Sequence, residues 1–213
     1  MARVLMTGFA PFGGESVNPS WQAVSLVGAR RADVAAVELP CEFATSLPTL
    51  RRALEEHRPS LVVCAGQAGG RAEVTPERVA VNLIDARIPD NAGDRPVDAA
   101  VVAGGPAAYF TTLPVKACVA AIRAAGVPAS VSHTAGTYVC NQVFYGLMHL
   151  LATEFPGVRG GFVHVPFSPE QVAAASKPEP SLSVDRIADA LEALADTALR
   201  VTEDLKVSAG AEH

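Results

Sequence analysis

The segment Thr134-Ala135-Gly136-Thr137-Tyr138-Val139-Cys140-Asn141 places a cysteine where a loop runs into a long helix with one apolar face. A helix start carries unpaired N–H groups and partial positive charge. These favour a thiolate, lowering its pKa, and can also receive the negative oxygen of a tetrahedral intermediate. Cys64, mid-strand, and Cys118, mid-helix, lack that setting; a cysteine there is a small buried hydrophobe. A thiol nucleophile needs a base that takes its proton and later protonates a leaving amine. His164, near the carboxyl end of the apolar stretch Gly161–Val165, is the best placed, and His133, beside the same loop as Cys140, competes with it. His149 stands more than two helical turns beyond Cys140 and cannot reach it.

Other segments carry unusual composition. Gly8-Phe9-Ala10-Pro11-Phe12-Gly13-Gly14-Glu15 has the glycines of a phosphate-binding loop, but Gly14 and Glu15 stand where such a loop needs its lysine. Phe9 and Phe12 are either a small cluster tucked under the loop or two flat apolar walls for a small planar ligand. In Gly66-Gln67-Ala68-Gly69-Gly70-Arg71 the glycines allow close backbone approach, and Gln67 offers an amide that both donates and accepts. The same glycines would also serve as turn punctuation. Glu77-Arg78, leading into Val79-Ala80-Val81-Asn82, is either a solvated pair or the source of a site carboxylate.

The elements that must position these residues alternate. Arg3–Thr7, Val34–Leu39, Ser60–Ala65, Val79–Ile84, Ala129–Ser132 and Gly161–Val165 have strand length and apolar character. Between them lie helices: from Asn18-Pro19 (an N-cap followed by proline) to about Val27, Leu47–His57, Leu113–Ala125, Cys140–Phe155, and Val184–Leu205 with Ser183 as N-cap. A Pro/Asp/Gly-rich loop occupies Ala86 to Pro96. Alternating strands and helices predict an α/β layer protein with a mainly parallel sheet, whose sites form beyond the strands' carboxyl ends.

The bulk properties restrict the function. A chain of 213 residues suits a single domain, 1–213. The net charge of −5 argues against nucleic-acid binding, which needs a basic face. No apolar run approaches the roughly 18 residues of a membrane span, and only Val4–Met6 follow Arg3 before Thr7, too few for a signal peptide. A cytoplasmic protein is expected. Cys41, Cys64, Cys118 and Cys140 are too far apart for zinc-site spacing, and in a reducing cytosol they should stay unpaired. Lys177–Pro180 is linker-like, and the polar tail 206–213 is expected to fray.

Together the segments Thr7–Gly14 through Asn18-Pro19-Ser20, Gly66–Arg71, Glu77–Asn82, Ala86–Asn91, Thr134–Asn141 and His164-Val165-Pro166 resemble the pyroglutamyl-peptidase I family, in order and in spacing, over most of the chain. The resemblance implies a catalytic set of Cys140, His164 and Glu77 in a three-layer α/β/α sandwich around an open sheet. It further implies removal of N-terminal pyroglutamate from peptides, no metal or cofactor, and a cytosolic homotetramer. By the same resemblance Phe9, Phe12 and Tyr138 line the ring pocket and Arg87 sits near the oxyanion site; the amide of Gln67 offers a further substrate contact, and Asp90, in the same loop as Arg87, is a candidate secondary support. Three positions depart from the family pattern: Tyr138 where phenylalanine is usual, His133 for a small polar residue, and Glu73 for aspartate. The competing readings are a phosphorylase-like transferase on a similar sandwich and a small-metabolite binding protein with an inert Cys140. The lack of a phosphate-loop lysine counts against the first.

Overall fold

The computed structural model describes residues 3–173 and 178–210. The strands are β1 (Val4–Phe9), β2 (Val34–Leu39), β3 (Leu61–Gln67), the two-residue β4 (Thr75–Pro76), the antiparallel pair β5 (Val79–Val81) and β6 (Ala108–Phe110), and β7 (Arg159–Val165). Five of them form one sheet in the order β2-β1-β3-β7-β4, parallel except where β4 runs against β7. β1 and β3 are apolar on both faces because both faces are covered. On one face α1 (Pro19–Arg30), α3 (Val115–Ala124) and α6 (Val184–Arg200) pack against Val4, Met6, Val63 and Val163. On the other, α2 (Ser46–His57) and α4 (Val139–Thr153) pack against Leu5, Val62, Cys64 and Phe162. A short α5 (Pro169–Ala173) follows β7. This is the expected α/β/α sandwich.

Both expected N-caps form. The Asn18 side chain accepts from Ser20 N at 3.1 Å, and that of Ser183 accepts from Arg186 N at 3.4 Å. Gly8 is required by close approach, since a Cβ there would lie 2.5 Å from the backbone of Trp21 on α1.

Several boundaries differ from the sequence expectation. The strand expected over Val79–Ile84 stops at Val81, and the Asn82 side chain instead holds the neighbouring loop through Val102 N and Val102 O, each at 2.9 Å. Ala129–Ser132 contributes only two isolated parallel bridges, Val74↔Ala129 and Glu77↔Ser132, outside β4. The last helix ends at Arg200 rather than Leu205, because Asp204 turns back to accept from Lys116 N and Ala117 N at the start of α3. Within the described part of the tail, Ala209 packs on the core, and its carbonyl accepts from Arg78 Nη2 at 3.1 Å. Residues 211–213, and Lys177 of the expected linker, lie outside the described residues.

Candidate active site

The carboxyl ends of β1, β3 and β7 open onto one place. Cys140 is the second residue of α4, entered from the loop Ser132–Thr137. Gly136, at φ 75°, turns that loop, and Thr137 straps it to Asp85 through an exchange of bonds, Thr137 Oγ1 to Asp85 O and Asp85 N to Thr137 O, both 2.9 Å. Among the described residues no side chain caps α4, which leaves its first-turn N–H groups open to a developing oxyanion. Asn141 pins the helix start. Its Nδ2 donates to Val81 O and Leu83 O, each at 2.9 Å, and its Oδ1 accepts from Val81 N at 3.1 Å.

His164 sits near the carboxyl end of β7, in register with Gly66 of β3. The Cys140 sulfur lies over Gly66, where a Cβ would stand 2.9 Å from Sγ. β4 brings the carboxylate. Thr75 pairs with His164, Glu77 N donates to Phe162 O at 2.9 Å, and His164 Nδ1 then donates to Glu77 Oε1 at 2.7 Å. A carboxylate accepting at Nδ1 fixes the tautomer and leaves Nε2 free to take a proton. Glu77 is fully buried and His164 nearly so.

The electrostatics differ from the sequence expectation in one respect. The helix start was expected to lower the Cys140 thiol, but burial pushes it up, with Cys41 and Glu77 adding to the rise and Arg71 and the backbone opposing it. Burial likewise holds His164 below its ordinary value, against the raising effect of its Glu77 hydrogen bond, and Arg71 lowers it further. Both directions favour a neutral thiol and a neutral imidazole in the free protein. Cys140 keeps partial exposure, whereas Cys41, Cys64 and Cys118 are buried.

The remaining expected residues separate into groups. Phe12, Tyr138 and Arg87 line one cavity of about 660 Å³, together with Asp85, Ile88, Arg95 and Thr137. Phe12 and Tyr138 face each other there, with ring centroids 6.1 Å apart. The extra hydroxyl of Tyr138 has a partner, donating to Pro89 O at 3.0 Å. Phe9 does not line this cavity. It is 1% exposed and packs against Phe162 at 6.4 Å, because β1 is covered on that face. Gln67 ends β3, and its Oε1 accepts from Gln171 Nε2 at 2.9 Å.

Asp90 is a loop organiser: its carboxylate accepts from Phe43 N, Ala92 N and Asp94 N at 2.7–2.9 Å. His133 is exposed and packs against Gly210 of the tail. Two contributors were not singled out from the sequence, Asn141 and Arg71. Arg71 closes the Gly66–Arg71 segment, and its Nη1 reaches Glu77 Oε1 at 2.8 Å. A cation ending a glycine-rich turn was the available signal. Among the described residues no group of three His, Cys, Asp or Glu side chains is placed to hold a metal ion, and no helix is long and apolar enough to cross a membrane.

The chain is similar to known proteins over nearly its whole length. A family model described as pyroglutamyl peptidase matches residues 2–201. A pyrrolidone-carboxylate peptidase of Streptomyces coelicolor is 61% identical over 100% of both chains, and one of Cupriavidus necator is 54% identical, also over 100% of both. Among solved structures, the pyroglutamyl peptidase I from Bacillus amyloliquefaciens has a TM-score of 0.91 at 50% identity, covering 98% of this chain and 100% of that one. The pyrrolidone carboxyl peptidase from Thermococcus litoralis has a TM-score of 0.91 at 36% identity, with the same coverage. The chain belongs to the pyroglutamyl peptidase family.

Proposed function

We propose that this chain is a cysteine exopeptidase that hydrolyses the amide bond after an N-terminal pyroglutamyl residue, with Cys140 as nucleophile, His164 as general base and acid, and Glu77 orienting His164. The observation that carries this assignment is the 2.7 Å bond from His164 Nδ1 to the buried Glu77, in register beside the glycine over which the Cys140 sulfur lies. Cys140 Sγ attacks the pyroglutamyl carbonyl carbon as His164 Nε2 takes the thiol proton. The oxyanion meets the open N–H groups at the start of α4, with Arg87 near them. Collapse breaks the C–N bond, and His164 gives its proton to the departing amine. Water, deprotonated by His164, then hydrolyses the thioester and restores the thiol. No metal or cofactor enters this cycle.

Pyroglutamate is a neutral lactam without an α-amine, so its site needs apolar walls and few polar anchors. Phe12 and Tyr138 supply walls, Gln67 an amide, and Phe9 backs the site through Phe162. We take 1–213 as one catalytic domain, working in the cytoplasm as a homotetramer; light scattering at micromolar concentration tests the assembly. The activity is tested by hydrolysis of a chromogenic pyroglutamyl amide beside the alanyl and prolyl amides. Cleavage is expected for the first alone and should vanish in Cys140→Ser. Intact cleavage in that variant, or its loss in a folded Cys64→Ser protein, overturns the assignment. His164→Ala should abolish turnover and His133→Ala should not; the reverse would make His133 the base.

A further inference from the structure

We propose that Arg71 is a positioning residue of this site, locking Glu77 and the nucleophile loop into one geometry while holding a permanent positive charge near Cys140 and His164. Given the peptidase activity proposed for the chain, this adds a fourth member to the working set. The Glu77 oxygen that accepts from His164 Nδ1 at 2.7 Å also accepts from Arg71 Nη1 at 2.8 Å. Glu77 is 0% exposed, and its other oxygen, Oε2, has no hydrogen-bond partner among the described residues. Arg71 is the one arginine or lysine paired with it among those residues. A buried carboxylate against a neutral imidazole would otherwise carry an uncompensated charge, and that cost would be offset by drawing a proton onto His164. A protonated His164 cannot take the thiol proton.

Arg71 also reaches the nucleophile loop. Its Nη2 donates to Thr134 O at 3.2 Å, and its Nη1 contacts Thr75 Oγ1 on β4. One planar guanidinium therefore joins the loop that leads to Cys140 with the strand that carries Glu77. Gly70, at φ 80°, makes the turn that aims it there. The titratable and charged groups acting on or coupled to Cys140 are Cys41, Tyr138, Glu77 and Arg71; those acting on His164 are Glu77 and Arg71. Arg71 opposes protonation of both, so its removal favours the protonated form of each.

The test compares Arg71→Gln and Arg71→Lys with the unmodified protein by two readouts. The first is the pH profile of kcat and KM on a chromogenic pyroglutamyl amide. The second is the pH dependence of Cys140 alkylation by iodoacetamide, located by peptide mapping, which needs no turnover. In Arg71→Gln kcat should fall roughly tenfold to a hundredfold, as for loss of a hydrogen bond to a charged group, with KM little changed. Both limbs of the pH profile, and the alkylation curve, should move to higher pH. Arg71→Lys keeps the charge and should return the curves toward their original pH, while kcat recovers only in part. Curves that stay in place or move to lower pH in Arg71→Gln overturn the proposal, whatever the rate. Should Arg71→Gln fail to melt cooperatively, a folded Arg71→Lys protein with displaced curves overturns it. Failure of the unmodified protein to cleave the amide, with the alkylation curve still displaced in Arg71→Gln, would sink the peptidase assignment and leave the role of Arg71 standing.

Discussion

Gly66 contributes to the site by lacking a side chain. Its φ is not in the left-handed region, so backbone strain does not demand glycine. A Cβ at this position would lie 2.8 Å from Phe162 Cζ and 2.9 Å from Cys140 Sγ. Phe162 cannot yield easily, since it is fully buried between Phe9 and Phe144. The sulfur can yield, because Cys140 is partly exposed at a helix start. Gly66→Ala should therefore displace the Cys140 sulfur, the proposed nucleophile, more than it unfolds the chain. The expected result is a loss of about 1–3 kcal/mol in stability from overpacking, with kcat reduced by roughly tenfold or more because small misplacements of reacting atoms are costly. Thermal melts paired with single-turnover kinetics check this. A variant with normal acylation would show that Sγ does not depend on the space above Gly66.

The start of α4 needs an anchor because it carries Cys140, the proposed nucleophile, yet has no capping side chain among the described residues. Asn141 supplies three hydrogen bonds to Val81 and Leu83, joining the helix to the strand that follows Glu77. Asn141→Ala leaves those backbone groups unpaired, at a cost of about 2–4 kcal/mol. The loss should appear in urea unfolding and as faster hydrogen exchange at the Val81 amide. An exchange rate at Val81 equal to that of the unmodified protein would rule out the anchoring role. Which elements exist was legible in the sequence, because periodicity and caps such as Asn18 and Ser183 are local signals. The helix-start position of Cys140 was legible from its segment, and so was the place of His164 near a strand's carboxyl end. β4, the early end of α6 and the Arg71–Glu77 contact were not. β4 is two residues long and exists only by long-range pairing, with β7 on one side and a bond from Ser132 N to Pro76 O on the other, and α6 stops where Asp204 turns to cap a different helix. Arg71 sits six residues before Glu77, and only the turn at Gly70 and the bend into β4 bring the two side chains together. Burial of Cys140 was hidden for the same reason, since a helix-start address is local and desolvation is not.

For the whole molecule, two cores packed on opposite faces of one sheet put thiols deep inside both. Cys118 lies in the core beneath α1, α3 and α6, and Cys41 and Cys64 lie in the core beneath α2 and α4. Burial pushes each of these thiols from 9.0 up to about 12. An unfolded chain releases those protons near 9, and the folded one holds them, so above pH 9 the folded state binds more protons than the unfolded state. Stability must then fall as pH rises from 9 toward 12, by about 1.4 kcal/mol per pH unit for each thiol fully retained. Tyr138 and Tyr145, also raised chiefly by burial, add to the slope from pH 10 upward. His164 acts at the other end. Its folded value lies below the ordinary 6.5, so beneath that pH the unfolded chain takes up a proton that the folded site resists, and stability falls on acidification. The expected profile is a plateau between about pH 6.5 and 9 with losses on both sides. Urea unfolding from pH 5 to 10.5 measures it. Cys118→Ala should flatten the alkaline limb by about one thiol's share, even though the cavity lowers the whole curve. An alkaline slope unchanged in that variant would show that Cys118 does not titrate differently in the folded and unfolded chains.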